Sequence, residues 1–132
     1  MRCLDVVAWV HIENKRLLCA RTRGNDIFYL PGGKREIGES DWAALSREVL
    51  EEVNVDLIQS TVQELTTIKE KAHGHGLQTW VSMKCFLADA IGRPTASAEI
   101  EEIVWMKYAD RIRCAPATQR VIEYLFEQGL ID

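Results

Sequence analysis

The stretch that most constrains this chain is residues 40–55, SDWAALSREVLEEVNV. Trp42, Leu45, Val49 and Val53 recur at helical spacing and mark one buried stripe. Ser40 or Asp41 supplies an N-cap, and Asn54 supplies the left-handed residue that ends the helix. At about 100° per residue, Glu48, Glu51 and Glu52 share one arc well away from that stripe. Three carboxylates so close repel one another, and they lie in the half of the helix where the macrodipole disfavours negative charge. Arg47 reaches Glu51 at i+4, but no other basic side chain within the helix offsets the cluster. A helix that needed only solubility would scatter Lys among these positions. A bound divalent cation is the simplest missing partner, since carboxylate oxygens with carbonyls and waters are what Mg²⁺ or Mn²⁺ prefers. For these residues taken alone, a solvated acidic face is the alternative.

The flanking residues narrow the choice. A Pro31-Gly32-Gly33 turn leads into an acidic loop, and from Gly33 the chain reads Gly, five residues, Glu39, seven residues, Arg47-Glu48-Val49-x-Glu51-Glu52-x-Asn54-Val55. This resembles the signature of the Nudix hydrolases, in which Asn54 would be a Gly and Val49 and Val55 bulky aliphatic residues. The departure at Asn54 is mild, because Asn also tolerates the left-handed conformation. The resemblance rests on residues 33–55 of a chain of 132. It implies an α/β/α sandwich, a mixed β-sheet flanked by the box helix and a C-terminal helix, with residues 1–132 forming one domain. It also implies a Mg²⁺-dependent hydrolase of nucleoside diphosphate-linked compounds. A short single-domain chain is similar to the MutT-like group, which hydrolyses (deoxy)nucleoside triphosphates to a monophosphate and pyrophosphate.

Site residues follow from the same resemblance. Glu48 and Glu52 match the principal metal ligands, and Glu51 matches a further ligand or a group that helps deprotonate water. Arg47 and Glu39 match an ion pair that holds the loop onto the helix and orients the ligands. Gly32 matches the turn position whose carbonyl joins the metal sphere, a plain tight turn being the alternative. A further acidic ligand is expected before the final core strand, where Glu99 fits best, Glu102 is second and Glu101 also crowds the place. Arg21, Arg23 and Lys34 flank the proposed site and suit substrate phosphates, Arg through its bidentate geometry. Tyr29, with Phe28, either stacks on a base or belongs to the core. His73 and His75 read as a hairpin turn, a phosphate or base contact, or metal ligands without a matching third.

The rest of the chain reads as strands around two helices. Residues 4–12 and 16–21 form an antiparallel pair joined by a turn at 13–15, and 22–26 is a loop. A short strand starts at Val55, and 63–71 and 77–88 are longer strands joined by a turn at 73–76. After a loop at 91–94, residues 103–107 form the last strand. Pro116 opens a C-terminal helix with apolar positions Val121, Ile122, Leu125 and Phe126, and Gly129 stops it.

Charge and cysteine usage bound the partners. Net charge is −4 with no basic block, so duplex nucleic acid is not the expected partner, whereas a small nucleotide is. No run is long enough to span a membrane, and Asp5 interrupts the place where a signal peptide needs its apolar core. Cys3, Cys19, Cys85 and Cys114 are far apart with no Cys-x-x-Cys, which fits reduced thiols in a cytoplasmic protein. Many members of the family pair as homodimers, and the sequence leaves the oligomeric state open. Two rival readings remain: a non-catalytic Nudix-like nucleotide sensor, which usually loses box carboxylates, and a protein-interaction domain carrying an acidic helix.

Overall fold

The computed structural model describes residues 2–72 and 78–132. In chain order they form β1 (Arg2–Trp9), β2 (Ile12–Glu13), β3 (Arg16–Thr22), β4 (Gly32–Lys34), α1 (Asp41–Val53), β5 (Asp56–Leu57), β6 (Gln63–Lys71), β7 (Thr79–Leu87), β8 (Ala90–Ile91), β9 (Ile100–Met106) and α2 (Pro116–Glu127). Short 3₁₀ turns occupy Gln59–Thr61 and Tyr108–Arg113. The mixed sheet is divided. One part has the order β4-β1-β7-β6, a second the order β2-β3-β9, and β5 and β8 form a two-stranded ladder.

β1 is the centre of this arrangement. It runs parallel to β7 from Arg2↔Thr79 to Trp9↔Phe86 and antiparallel to β4 at Val6↔Lys34, Val7↔Gly33 and Ala8↔Gly32. Buried on both faces, it needs apolar residues of both parities, which VVAWV at 6–10 provides. Val7 and Trp9 join Leu18, Leu45, Val49 and Val53 in a core under α1. Ala8 and Val10 join Leu17, Met83, Val121, Ile122 and Leu125 in a core under α2. Those two cores are the two gaps of the α/β/α sandwich. Trp9, fully buried, satisfies its indole N–H by donating to the Ala88 carbonyl at 3.0 Å.

Several element boundaries differ from the sequence expectation. The strand expected at 4–12 ends at Trp9, and only Ile12 and Glu13 pair with β3. The chain crosses between sheets at this point: Val10 N–H donates to Phe86 O, while His11 O accepts from Leu18 N–H. Asn14 and Lys15 close the short hairpin with φ of 52° and 61°, the left-handed pair of a type I′ turn. The last strand begins at Ile100, so Glu101 and Glu102 are strand residues and not part of the preceding loop. Phe126 is 45% exposed and stacks on Tyr108 with centroids 4.2 Å apart, outside the buried stripe of α2. Thr118, not foreseen, is buried in its place on the inner face. His73 and His75 lie outside the described residues. Among the described residues no helix is long and apolar enough to cross a membrane.

The ends of α1 follow the expected chemistry. Ser40 Oγ accepts from Ala43 N–H at 3.1 Å, and Asn54 closes the helix with φ of 59° and an N–H bond to Leu50 O.

Gly32 sits with φ of +148°, where an added Cβ would meet Val7 O at 2.1 Å and Ala8 Cα at 2.8 Å. Both obstacles are backbone of the central strand and cannot rotate away. Gly32→Ala is therefore expected to lower stability by about 3 kcal/mol or more, measured by urea unfolding without metal.

Candidate active site

The acidic loop and α1 are joined by one guanidinium. Arg47 Nε and Nη2 donate to Glu39 Oε2 and Oε1, each at 2.8 Å, in a bidentate fork. Its Nη1 donates to Glu48 Oε1 at 2.8 Å, and Nη2 also reaches Lys34 O at 3.2 Å. Glu39 Oε1 further accepts the Glu36 N–H at 2.7 Å, which pins the loop to its own backbone. Arg47 thus ties β4, the acidic loop and the first of the three clustered carboxylates together. The hydrogen bonds from Arg47 hold the Glu39 carboxyl down to about 2, and the same bonds push the Arg47 pKa further up.

Glu52 is in a different electrostatic position. One oxygen accepts the Gly32 N–H at 3.1 Å, and the side chain lies on the wall of a cleft of ≈ 400 Å³. Burial pushes its carboxyl up to about 8, the charges of Glu48 and Glu51 add to this, and the Gly32 N–H works in the opposite direction. Glu48 lies beside Gly33, where a Cβ would come within 2.6 to 2.9 Å of its carboxyl atoms. Glu51 is exposed and forms no hydrogen bond or ion pair among the described residues.

The three carboxylates are close enough to raise one proton affinity, yet among the described residues no three acidic, His or Cys side chains already converge on one point. Arg47 accounts for part of this by holding Glu48 Oε1. The donor set is all carboxylate oxygen, and its excess negative charge surrounds a half-desolvated group. Those features fit a hard divalent cation.

The cleft lies beside the α2 side of β1. Val6 and Ala8 of β1 and Val81 and Met83 of β7 line it, with Ala115 and Pro116 at the start of α2 closing one side. Gly32, Gly33, Lys34 and Tyr29 are also in its lining, so the turn, one expected basic residue and the expected aromatic meet Glu52 there. Phe28, by contrast, is core and only 3% exposed.

The remaining expected site residues stand apart from the cleft lining. Arg21 donates to Glu101 and Glu102 at 2.8 and 2.9 Å. Arg23 and Glu99 are exposed, and the backbone N–H of Arg23 donates to the Glu99 carbonyl at 2.8 Å. Sequence reading missed Thr22, Asn25 and Thr118, which also line the cleft. The loop and helix contributions to this lining carried no signal in the sequence.

Two predictions follow from this geometry. Between about pH 4.5 and 8 the folded state holds a proton on Glu52 that the unfolded chain has released, so stability of the metal-free protein falls as pH rises through that window. Glu52→Gln should flatten this decline and stabilise the metal-free protein at pH 8.5 by on the order of 4 kcal/mol, read by chemical unfolding across pH. Below pH 4.5 the lowered carboxyl of Glu39 gives the opposite slope, with stability lost as pH falls toward about 2. Gly33→Ala displaces a flexible carboxylate and not backbone, so the fold should survive while divalent-cation binding weakens roughly 10–100-fold, measured by calorimetric titration.

Comparison with known proteins agrees with the geometry. The NUDIX domain family matches residues 1–125. The chain is 29% identical over 123 residues to the uncharacterized Nudix hydrolase YvcI of Bacillus subtilis, covering 90% of this chain and 77% of that protein. Its fold is similar to the MutT NUDIX hydrolase of Burkholderia pseudomallei, with a TM-score of 0.76, 21% identity and coverage of 93% and 98% of the two chains. It is also similar to the dihydroneopterin triphosphate pyrophosphohydrolase of E. coli, with a TM-score of 0.71, 21% identity and coverage of 96% and 95%. Members of the matched family act on pyrophosphate bonds in nucleoside diphosphate derivatives and generally require a divalent metal. A match over nearly the whole chain, with the acidic helix, its capping Asn and the paired glycines in place, makes this chain a Nudix hydrolase.

Proposed function

We propose that this chain is a Mg²⁺-dependent pyrophosphohydrolase of (deoxy)nucleoside triphosphates, one catalytic domain that releases a nucleoside monophosphate and pyrophosphate. The observation that carries this reading is Glu52, a carboxylate of the acidic helix that reaches a cleft wall and bonds the Gly32 N–H at 3.1 Å. The cleft is large enough for a heterocycle, and Lys34 of β4 is in its lining. Among the structural neighbours, one named as a dihydroneopterin triphosphate pyrophosphohydrolase is compatible with a triphosphate substrate, while others are named as a UDP-X diphosphatase and an ADP-ribose pyrophosphatase.

In this reading Glu48 and Glu52 hold Mg²⁺, with Mn²⁺ as a substitute, and Glu51 either completes the set or takes the proton of the attacking water. The Gly32 carbonyl and Glu99 are the further oxygen donors. The chemistry that a cation held there would supply is charge relief at the phosphates and a more acidic attacking water. The chain's own groups do the positioning. Arg47 fixes Glu48 and braces Glu39, and the Gly32 N–H fixes Glu52. Lys34 and Arg23 supply positive charge toward the phosphates, and Tyr29 flanks the moiety they carry. Free thiols at all four cysteines accord with a cytoplasmic setting.

The test is phosphate release from nucleoside triphosphates, dinucleoside polyphosphates, ADP-ribose and nucleotide sugars, with and without Mg²⁺, using coupled pyrophosphatase for the triphosphates and coupled phosphatase for substrates whose products are phosphate monoesters. Metal-dependent release of pyrophosphate from triphosphates is expected. Glu52→Gln should lower kcat by roughly 10³-fold or more with the fold intact. Equal turnover in that variant would remove Glu52 from the mechanism, and hydrolysis confined to nucleotide sugars would overturn the triphosphate assignment.

A further inference from the structure

Arg21 and the loop behind it are the most tightly specified polar feature outside the carboxylate cluster. The Arg21 side chain is 19% exposed. Its Nε donates to Glu102 Oε1 at 2.9 Å, and its Nη1 donates both to Glu101 Oε2 at 2.8 Å and to the backbone carbonyl of Asn25 at 3.0 Å. The first two bonds anchor the guanidinium to β9, and the third fastens the loop that follows β3. The loop is held at other points too: Arg23 N–H donates to Glu99 O at 2.8 Å, and Asn25 N–H donates to Thr22 O at 3.0 Å.

Among the described residues, these bonds leave Asn25 with one unspent polar group. Its backbone N–H and carbonyl are taken by Thr22 and Arg21, and its side-chain oxygen accepts the Ile27 N–H at 3.0 Å. An amide whose oxygen is committed to an N–H has a fixed orientation, so only the NH₂ donor remains. Asn25 lines the cleft, where its neighbours include apolar Val6, Val81, Met83 and Ile100. Thr22, Tyr29, Lys34, Lys71 and Thr118 also line the cleft, but their hydroxyls and ammonium groups rotate, whereas the Asn25 NH₂ has its direction set. A donor of fixed direction discriminates against a ligand that offers it no acceptor, a larger effect than apolar shape alone gives.

We propose that Arg21 is a positioning residue, not a phosphate contact: clamped to Glu101 and Glu102, it fixes Asn25 as the donor with which the cleft reads an acceptor on the substrate's heterocycle. This rests on the proposed nucleotide reading and assigns the means by which that site selects among bases. A phosphate contact would act equally on every nucleotide, whereas a clamp behind a reading residue changes the preference between them.

The experiment is calorimetric titration of AMP, GMP, CMP and UMP into the wild-type chain, Asn25→Ala, Arg21→Gln and the double variant, without metal. Asn25→Ala leaves the backbone carbonyl that Arg21 grips, so it tests the reading residue even where Arg21→Gln folds poorly. The wild-type chain should separate the four by roughly 10-fold or more, with both single variants compressing the spread to about threefold and the double variant compressing it no further. Uniform weakening across the four in Arg21→Gln would restore the phosphate role and overturn the inference. An unchanged spread in Asn25→Ala overturns it as well, as does absence of discrimination or of binding by the wild-type chain. Failure of turnover with the binding pattern intact would instead overturn the hydrolase assignment alone.

Discussion

Two missing side chains set the distance between the acidic helix and the central strand. β4 pairs with β1 at the edge of the sheet and lies against the helix, and it fits because residue 32 presents no Cβ to the backbone of β1 and residue 33 presents none to Glu48. The close approach lets Gly32 pair with Ala8 in the sheet while its N–H meets Glu52 across the gap. Packing of the strand and placement of the carboxylate are therefore one constraint. A bulkier turn would separate helix from sheet and carry Glu52 away from the cleft.

The same approach concentrates charge that the fold does not neutralise evenly. Arg47 neutralises Glu39 through a bidentate fork and shares one hydrogen bond with Glu48, so the loop end of the cluster is electrostatically settled. Among the described residues no cation pairs with Glu52, and burial beside two further carboxylates makes it a weak acid. A neutral residue would be more stable there. Metal-free, this part of the helix is strained electrostatically, and a divalent cation is the partner that would convert the strain into affinity. Perturbed acidity of this kind, at the wall of a cleft, is a feature of functional sites more often than of structural ion pairs.

What the sequence disclosed depended on whether the determining contact was local. The helix at 41–53 and its Ser40 and Asn54 caps were legible because caps and apolar spacing are encoded within a few residues, whereas the Arg47–Glu39 ion pair was expected only from the family resemblance. The apolar character of β1 was legible too, but its pairing was not. A turn at 13–15 argues for a long hairpin with residues 16–21, whereas β1 gains an eight-residue parallel ladder with β7, some seventy positions later. Arg21 shows the same limit. Its residue type fits phosphate, yet its environment is set by Glu101 and Glu102, which reach it only because β3 and β9 are neighbours. A basic residue at a strand end is thus ambiguous until the strand across from it is known.

The division of the mixed sheet explains how the site can hold two kinds of group with different requirements. Carboxylates that share a cation need fixed spacing, and a helix packed through Leu45, Val49 and Val53, all fully buried, gives them a rigid base. Recognition of a heterocycle needs a donor that can be placed independently of that spacing. The cleft opens between β1 and β3, which belong to separate sheets, and the loop after β3 and the start of α2 add to a wall that β1, β7, β4 and Glu52 also form. In the proposed reading, changes in the loop after β3 would alter what is bound without moving Glu48 or Glu52, because Arg21 anchors that loop to β9 and not to the acidic helix.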